Sequence, residues 1–189
     1  MKKLALVLAL TLTAFAGSAM AGDYMDNVGV YFDAAGTQNC GTAAPFTPFP
    51  AYLILTQMTS TDVNAWEVAL TFSNVTQLSF QARGSAIDAG INPGEHIVGI
   101  ASPLPVVGGN VIVADLTLMV MNTNAAGIGS NGVFFHTLPA KVPAYQGSTT
   151  EVRELHPVTA PGNPIMIINN GCAVDTETDS FGSVKSLFR

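Results

Sequence analysis

The groups with chemistry to offer in this chain are 13 carboxylates, three histidines and two cysteines among 189 residues. Asp175, Glu177 and Asp179 alternate like the first ligands of a calcium loop, which wants hard oxygen donors at positions one, three and five. Such a loop takes Gly at its sixth position and Glu at its twelfth; Ser180 and Ser186 stand there, so a solvated acidic tail is the plainer reading. Asp23, Asp26 and Asp33 are a second set of oxygen donors, with no spacing specific to a metal. His96, His136 and His156 stand singly, without the His-x-x-x-His or Cys-x-x-Cys spacing of a zinc site. Glycoside hydrolysis needs two carboxylates flanking one bond, for which Glu67, Glu95, Glu151 and Glu154 are available. Glu67 falls on the wetter side of its strand, however, and Glu151 and Glu154 read as exposed edge charges. A Ser-His-Asp site assembles in space and not in sequence, but no Gly-x-Ser-x-Gly elbow marks a nucleophile. Residues 127–132 spell GxGxxG, yet a dinucleotide loop must lead into a helix and this one leads into the strand-like Val133-Phe134-Phe135. Asn74-Val75-Thr76 spells a glycosylation site, which the bacterial character of the leader discounts. No catalytic, cofactor-binding or metal-binding residue is assigned.

These groups sit in a chain built for export. Met1-Lys2-Lys3 precedes an apolar run from Leu4 to Ala16 and small residues at Ala19 and Ala21, the pattern of a secretory signal peptide cut after Ala21. That run is too short to span a bilayer, and no later run is long and apolar enough for a membrane helix. The first cysteine, Cys40, is too far from the cut for a lipid anchor. Removing residues 1–21 leaves 168 residues, enough for one domain with a sizeable core, and five Lys+Arg against 13 Asp+Glu, formally −8. Such an acidic chain is a poor partner for nucleic acid or anionic lipid. In an oxidising compartment Cys40 and Cys172 are assigned to a disulfide joining the two ends of the domain, with unpaired buried thiols as the alternative. Closing so long a loop is worth about 4–5 kcal/mol on the chain-entropy account.

The elements that must position these groups are strands. Residues 108–121 form the centre of the pattern. In steps of two they put Ile112, Ala114, Leu116, Leu118 and Val120 on a wholly apolar face, and Val111, Val113, Asp115, Thr117, Met119 and Met121 on the other. Residues 65–73 alternate most clearly, with Trp66, Val68, Leu70 and Phe72 toward a core and Ala65, Glu67, Ala69, Thr71 and Ser73 away from it. Sharing that face makes Trp66, the only tryptophan, a core anchor before a ligand platform. Further strands are expected over 27–33, 49–58, 75–83, 96–101, 132–138, 151–156 and 165–169. Loops are expected over 34–48, 102–109 and 122–131, and over 84–94 with room for one helical turn. About nine extended segments with turn-rich connections predict an all-β fold, a single jelly-roll or Ig-like β-sandwich.

The order of features from 49 to 138 resembles the cohesin and carbohydrate-binding-module class of bacterial jelly-roll sandwiches. The resemblance is carried by Val63-Asn64-Ala65-Trp66-Glu67-Val68-Ala69-Leu70-Thr71-Phe72, by Ile97-Val98-Gly99-Ile100-Ala101, and by Val113-Ala114-Asp115-Leu116-Thr117-Leu118-Met119-Val120 ahead of a glycine-rich stretch. It implies a fold that recognises protein or glycan partners on a sheet face or on loops, and it transfers no contact residue.

The expected organisation is a signal peptide over 1–21, a β-sandwich domain over 22–172 and a tail or short helix over 173–189. In that last stretch Phe181, Val184, Leu187 and Phe188 fall at helical spacing behind Ser180 as an N-cap. The function expected is that of an exported, non-enzymatic module, secreted, surface-bound or periplasmic. It would act by recognising an extracellular protein or glycan, or as an envelope-associated structural protein, without nucleic acid, cofactor or membrane span. The rival is a secreted carbohydrate-active or other hydrolytic enzyme on the same fold. An outer-membrane barrel is a third reading, against which the 11 prolines, the cysteine pair and the short strands weigh.

Overall fold

The computed structural model describes residues 24–172. The expected signal peptide, the residue Asp23, and the expected tail or helix with Asp175, Glu177 and Asp179 lie outside the described residues. Within them the chain forms thirteen strands: β1 Asn27–Tyr31, β2 Cys40–Gly41, β3 Phe49–Thr56, β4 Asp62–Ser73, β5 Val75–Ala82, β6 Ala86–Asp88, β7 Glu95–Pro105, β8 Val111–Val120, β9 Ala126–Asn131, β10 Ala144–Gln146, β11 Val152–Glu154, β12 His156–Pro157 and β13 Met166–Ile168. Six of them are only two or three residues long, too short to show a period, which is why hydrophobic runs alone suggest about nine. No helix occurs among the described residues, and β6 takes the place of the helical turn expected within 84–94.

Strands β12, β1, β3, β8 and β5, in that order, make the smaller sheet; β11, β10, β4, β9, β13 and β2 make the larger, with β7 also paired to β4 and β6 to β7. The sheets close on one another as the expected β-sandwich, and the buried cluster draws Val28, Leu53 and Leu118 from the smaller sheet and Trp66, Val68 and Ile128 from the larger. Ala69 pairs with Glu95 of β7 and Asn131 of β9, and Glu67 pairs with Ile97 of β7 and Ala144 of β10. A residue can have only one partner on each edge, so β9 and β10 follow one another along the same edge of β4. Residues 132–143 leave the sheet between them.

Trp66 is the core anchor expected, 2% exposed, with its ring 6.2 Å from that of Phe80 in the facing sheet. The row assigned to β8 needs correcting. Leu53 pairs with Ala114 and Ile54 with Ile112, which leaves Val113 as an extra residue in a bulge. The bulge turns Val111 and Val113 inward and leaves Ile112 half-buried, while Ala114, Leu116, Leu118 and Val120 keep the predicted face.

Three connections also differ from expectation. The loop expected over 122–131 and the strand expected over 132–138 exchange places, for β9 is made of Ala126–Asn131. Gly127 and Gly129 lie where a Cβ would press on Pro164 and on the Thr71 hydroxyl, so this strand is selected by close approach and carries no apolar alternation. The strand expected over 151–156 is two strands in different sheets: Glu154 pairs with Ala144 and His156 with Asn27, while Leu155 between them is buried at the crossing. Strand β7 runs on to Pro105 into the expected 102–109 loop, and β3 stops at Thr56, where Gln57 takes a positive φ of 53°. At the far edge β2 pairs with β13, and a disulfide joins Cys40 to Cys172 with a Cα–Cα distance of 5.5 Å.

Candidate functional site

The outward row of β4 begins with small side chains, and the pairing extends it sideways. Ala65 is flanked by Gly99 and then Ile87 on one side and by Gln146 and Val152 on the other; Glu67 is flanked by Ile97 and by Ala144 and then Glu154. All of these share the outer face of the larger sheet. Ala65, Gly99 and Ala144 give it a low floor, and a Cβ added at Gly99 would touch nothing within 4 Å. The result is a groove of about 300 Å³ walled by Ile97, Thr137, Gln146 and Val152.

The segment 132–143 rises beside this groove. Two carboxylates fix it. Glu67, 5% exposed, accepts the Thr137 amide at 2.8 Å on Oε1 and the Thr137 hydroxyl at 2.7 Å on Oε2. Glu95 accepts the Phe134 amide on Oε1 and the Asn92 side-chain amide on Oε2, each at 2.6 Å. Val133 is buried beneath, and the neck is closed where Gly132 abuts the Lys141 carbonyl. Phe134 and Phe135 are left outside, 66% and 65% exposed and edge-to-face with ring centroids 5.0 Å apart. An apolar pair on a braced segment is held out to solvent without losing freedom when something covers it.

The other residues singled out in the sequence are dispersed. His96 is buried, its Nδ1 2.6 Å from Asp88 Oδ2 and its ring stacked on Phe80 at 3.7 Å. Burial raises the Asp88 carboxyl, but bonds from His96, Gly90 and Ile97 outweigh it and hold the group below its ordinary value. His136 sits in the projecting segment near the Phe134 carbonyl, and His156 stacks on Tyr24 and lies 3.7 Å from Glu154. Asp26 is buried before β1 and accepts bonds from Thr59 and Tyr145, whereas Asp33 lies after β1 and accepts them from Thr37 and Gln38. The strand between them keeps the two apart. Glu151 and Glu154 are exposed on β11 and its approach, as expected. Glu67 is on the expected face but is not wet, because the segment 132–143 covers it. Among the described residues no three His, Cys, Asp or Glu side chains gather as metal ligands.

A second concavity lies farther along the same sheet. It measures about 470 Å³ and is lined by Thr71, Ser73, Ser130, Asn131, Asn163 and Asn170 over the glycines of β9, with no charged group in its wall. The sequence reading missed Phe134, Phe135 and Thr137 as site residues because it put them in a strand. Gly132, Pro139 and Pro143, which punctuate the segment, were the signal for a loop.

No protein-family model matches the chain, and no curated protein matches it in sequence. Among solved structures it is similar to the cohesin module of a family 33 glycoside hydrolase from Clostridium perfringens ATCC13124, at 10% identity, over 70% of this chain and 90% of that one, with a TM-score of 0.48. It is similar to the sixth cohesin of scaffoldin B from Acetivibrio cellulolyticus, solved with a Cel5 dockerin, at 10% identity, over 77% and 99% of the two chains, with a TM-score of 0.49. A non-cellulosomal cohesin from Archaeoglobus fulgidus is similar at 9% identity, over 70% and 86%, with a TM-score of 0.45. These are likenesses of outline, and the sandwich itself rests on the strand registers.

Proposed function

We propose that this protein is an exported, non-enzymatic recognition module that docks another protein on the outer face of its larger sheet. The observation that carries the reading is the Phe134–Phe135 pair, exposed on a segment that Glu67 and Glu95 hold still. Clustered exposed apolar side chains beside a groove mark an interaction surface, and aromatic anchors supply most of the affinity of such surfaces. The rival hydrolase needs two carboxylates free to face one bond. Glu67 and Glu95, the two that hold the projecting segment, are already engaged, since each oxygen of both accepts a bond from the chain itself, and the remaining pair, Glu151 and Glu154, stands exposed at the sheet edge and not in a cleft. Export is the part of the proposal that the leader supports, and N-terminal sequencing of the protein recovered outside the cytoplasm should begin at Gly22.

The test is a paired cross-linking capture from the producing cell's envelope and medium, with wild type and a Phe134→Ala/Phe135→Ala variant. Wild type should retain a discrete protein and the variant should lose it by about tenfold or more, as for a hot-spot pair. Equal capture by a variant that melts like wild type would sink the assignment. A second reading is favoured by one observation, the uncharged amide-lined cleft beside Asn131, Asn163 and Asn170. Such a wall suits a neutral polyhydroxylated ligand such as a glycan. Chemical-shift changes at those amides on adding soluble oligosaccharides would support it.

A further inference from the structure

The outer face of the larger sheet carries both a projection and a hollow. The projection is apolar and cationic: it presents Phe134 and Phe135 and ends in Lys141, the only lysine among the described residues, exposed and in no ion pair among them. The hollow is apolar and anionic. Its floor is Ala65, Gly99 and Ala144, Ile87 stands 77% exposed at one margin, and Glu154 and Glu151 stand exposed at the other, where Arg153 lies 3.5 Å from Glu151 and His156 3.7 Å from Glu154, so that Lys141 of a second copy would share these carboxylates. The chain cannot fill its own hollow with its own projection. Glu67 and Glu95 hold the segment at Thr137 and Phe134, and the abutment of Gly132 on Lys141 closes its neck.

We propose that this face is self-complementary and that two copies of the chain associate through it about a two-fold axis, each seating its Phe134–Phe135 pair in the groove of the other. This rests on the docking reading above and names the partner as a second copy. A two-fold contact is isologous, so a residue i that meets j is matched by a j that meets i, and every favourable contact forms twice. Lys141 of each copy meets Glu154 and Glu151 of the other. The acidic surplus of the whole chain opposes association only weakly, because charges farther apart than about 8 Å are screened at physiological salt.

Sedimentation velocity on the mature chain, residues 22–189, from micromolar to millimolar tests this. Wild type should move from the monomer to the dimer coefficient within that range, and F134A/F135A should stay monomeric throughout. K141E and E154K should each weaken association by about tenfold, and the combined K141E/E154K should restore most of it, because the swap re-forms the pair across the axis. Each variant is first shown to melt with wild type. A chain monomeric at millimolar concentration, a dimer indifferent to F134A/F135A, or a double charge variant no better than the worse single one would each overturn self-association. If the chain is monomeric but F134A/F135A still abolishes capture of a different protein, self-association falls and the docking reading stands; if capture is also unchanged, both fall.

Discussion

The two faces of β4 are buried side by side by opposite means. On the inner face Trp66 is 2% exposed and Val68 fully covered, and what covers them is the facing sheet, an apolar surface that needs no partner in register. On the outer face Glu67 is 5% exposed, and what covers it is a remote stretch of the same chain fastened by two hydrogen bonds to Thr137. The inner face is redundant, since many side chains share the burial. The outer face is specific, since one carboxylate holds one loop. Burial by apolar contact therefore sets the stability of this fold, whereas burial by hydrogen bonding sets the shape of the surface it presents.

The comparison breaks most easily at Trp66. Trp66→Ala removes a large side chain from a packed core and should cost about 3–5 kcal/mol in chemical denaturation, while leaving the Thr137 amide protected in whatever remains folded. A loss under about 1 kcal/mol would mean that the site collapses freely and that the inner face is not organised around this ring. Glu67→Ala should cost less, about 1–3 kcal/mol, because it orphans the Thr137 amide and hydroxyl without opening the core. Its signature is local: hydrogen exchange at Thr137 and Phe134 should rise sharply while Val68 and Leu70 stay protected, and Glu67→Gln should recover part of the protection. Uniform acceleration across β4 would erase the distinction between the faces.

Asp88 and His96 sharpen the comparison with the smallest effect, because there a polar pair closes the margin of the apolar layer. The Asp88 carboxyl is raised by burial and lowered further by its hydrogen bonds, so on balance it titrates below its ordinary value. A carboxyl depressed in the folded state stabilises the fold above the ordinary carboxylate range of about 4, and that contribution disappears as pH falls through the folded value. Asp88→Asn should therefore lower stability near neutrality and flatten its fall below about pH 4. Parallel melting curves for variant and wild type across that range would show that the pair contributes nothing.

Much of this is legible in the sequence. Trp66, Val68, Leu70 and Phe72 announced both a strand and its inner face, because a period of two survives wherever one face meets a core and the other does not. The cysteine pair was legible for another reason, since two cysteines in a chain expected to be exported leave one intramolecular bond to make. The candidate site was much less so. Alternation through 111–120 assigned Ile112 inward, and only the pairing with β3 shows the inserted residue that reverses it. The apolar spelling Val133-Phe134-Phe135 imitates a strand, but Glu95 and Glu67, 39 and 70 residues away from the amides they accept, draw it off the sheet.

The sequence by itself determined an all-β chain with two apolar rows that must be pressed together, because the free energy of covering those rows depends on composition and spacing and hardly on which partner does it. Only the tertiary structure decided which loop covers Glu67, where the β8 face reverses, and that Phe134 and Phe135 are left outside. Those outcomes turn on single directional bonds between residues far apart in the chain, and no local pattern records the far partner.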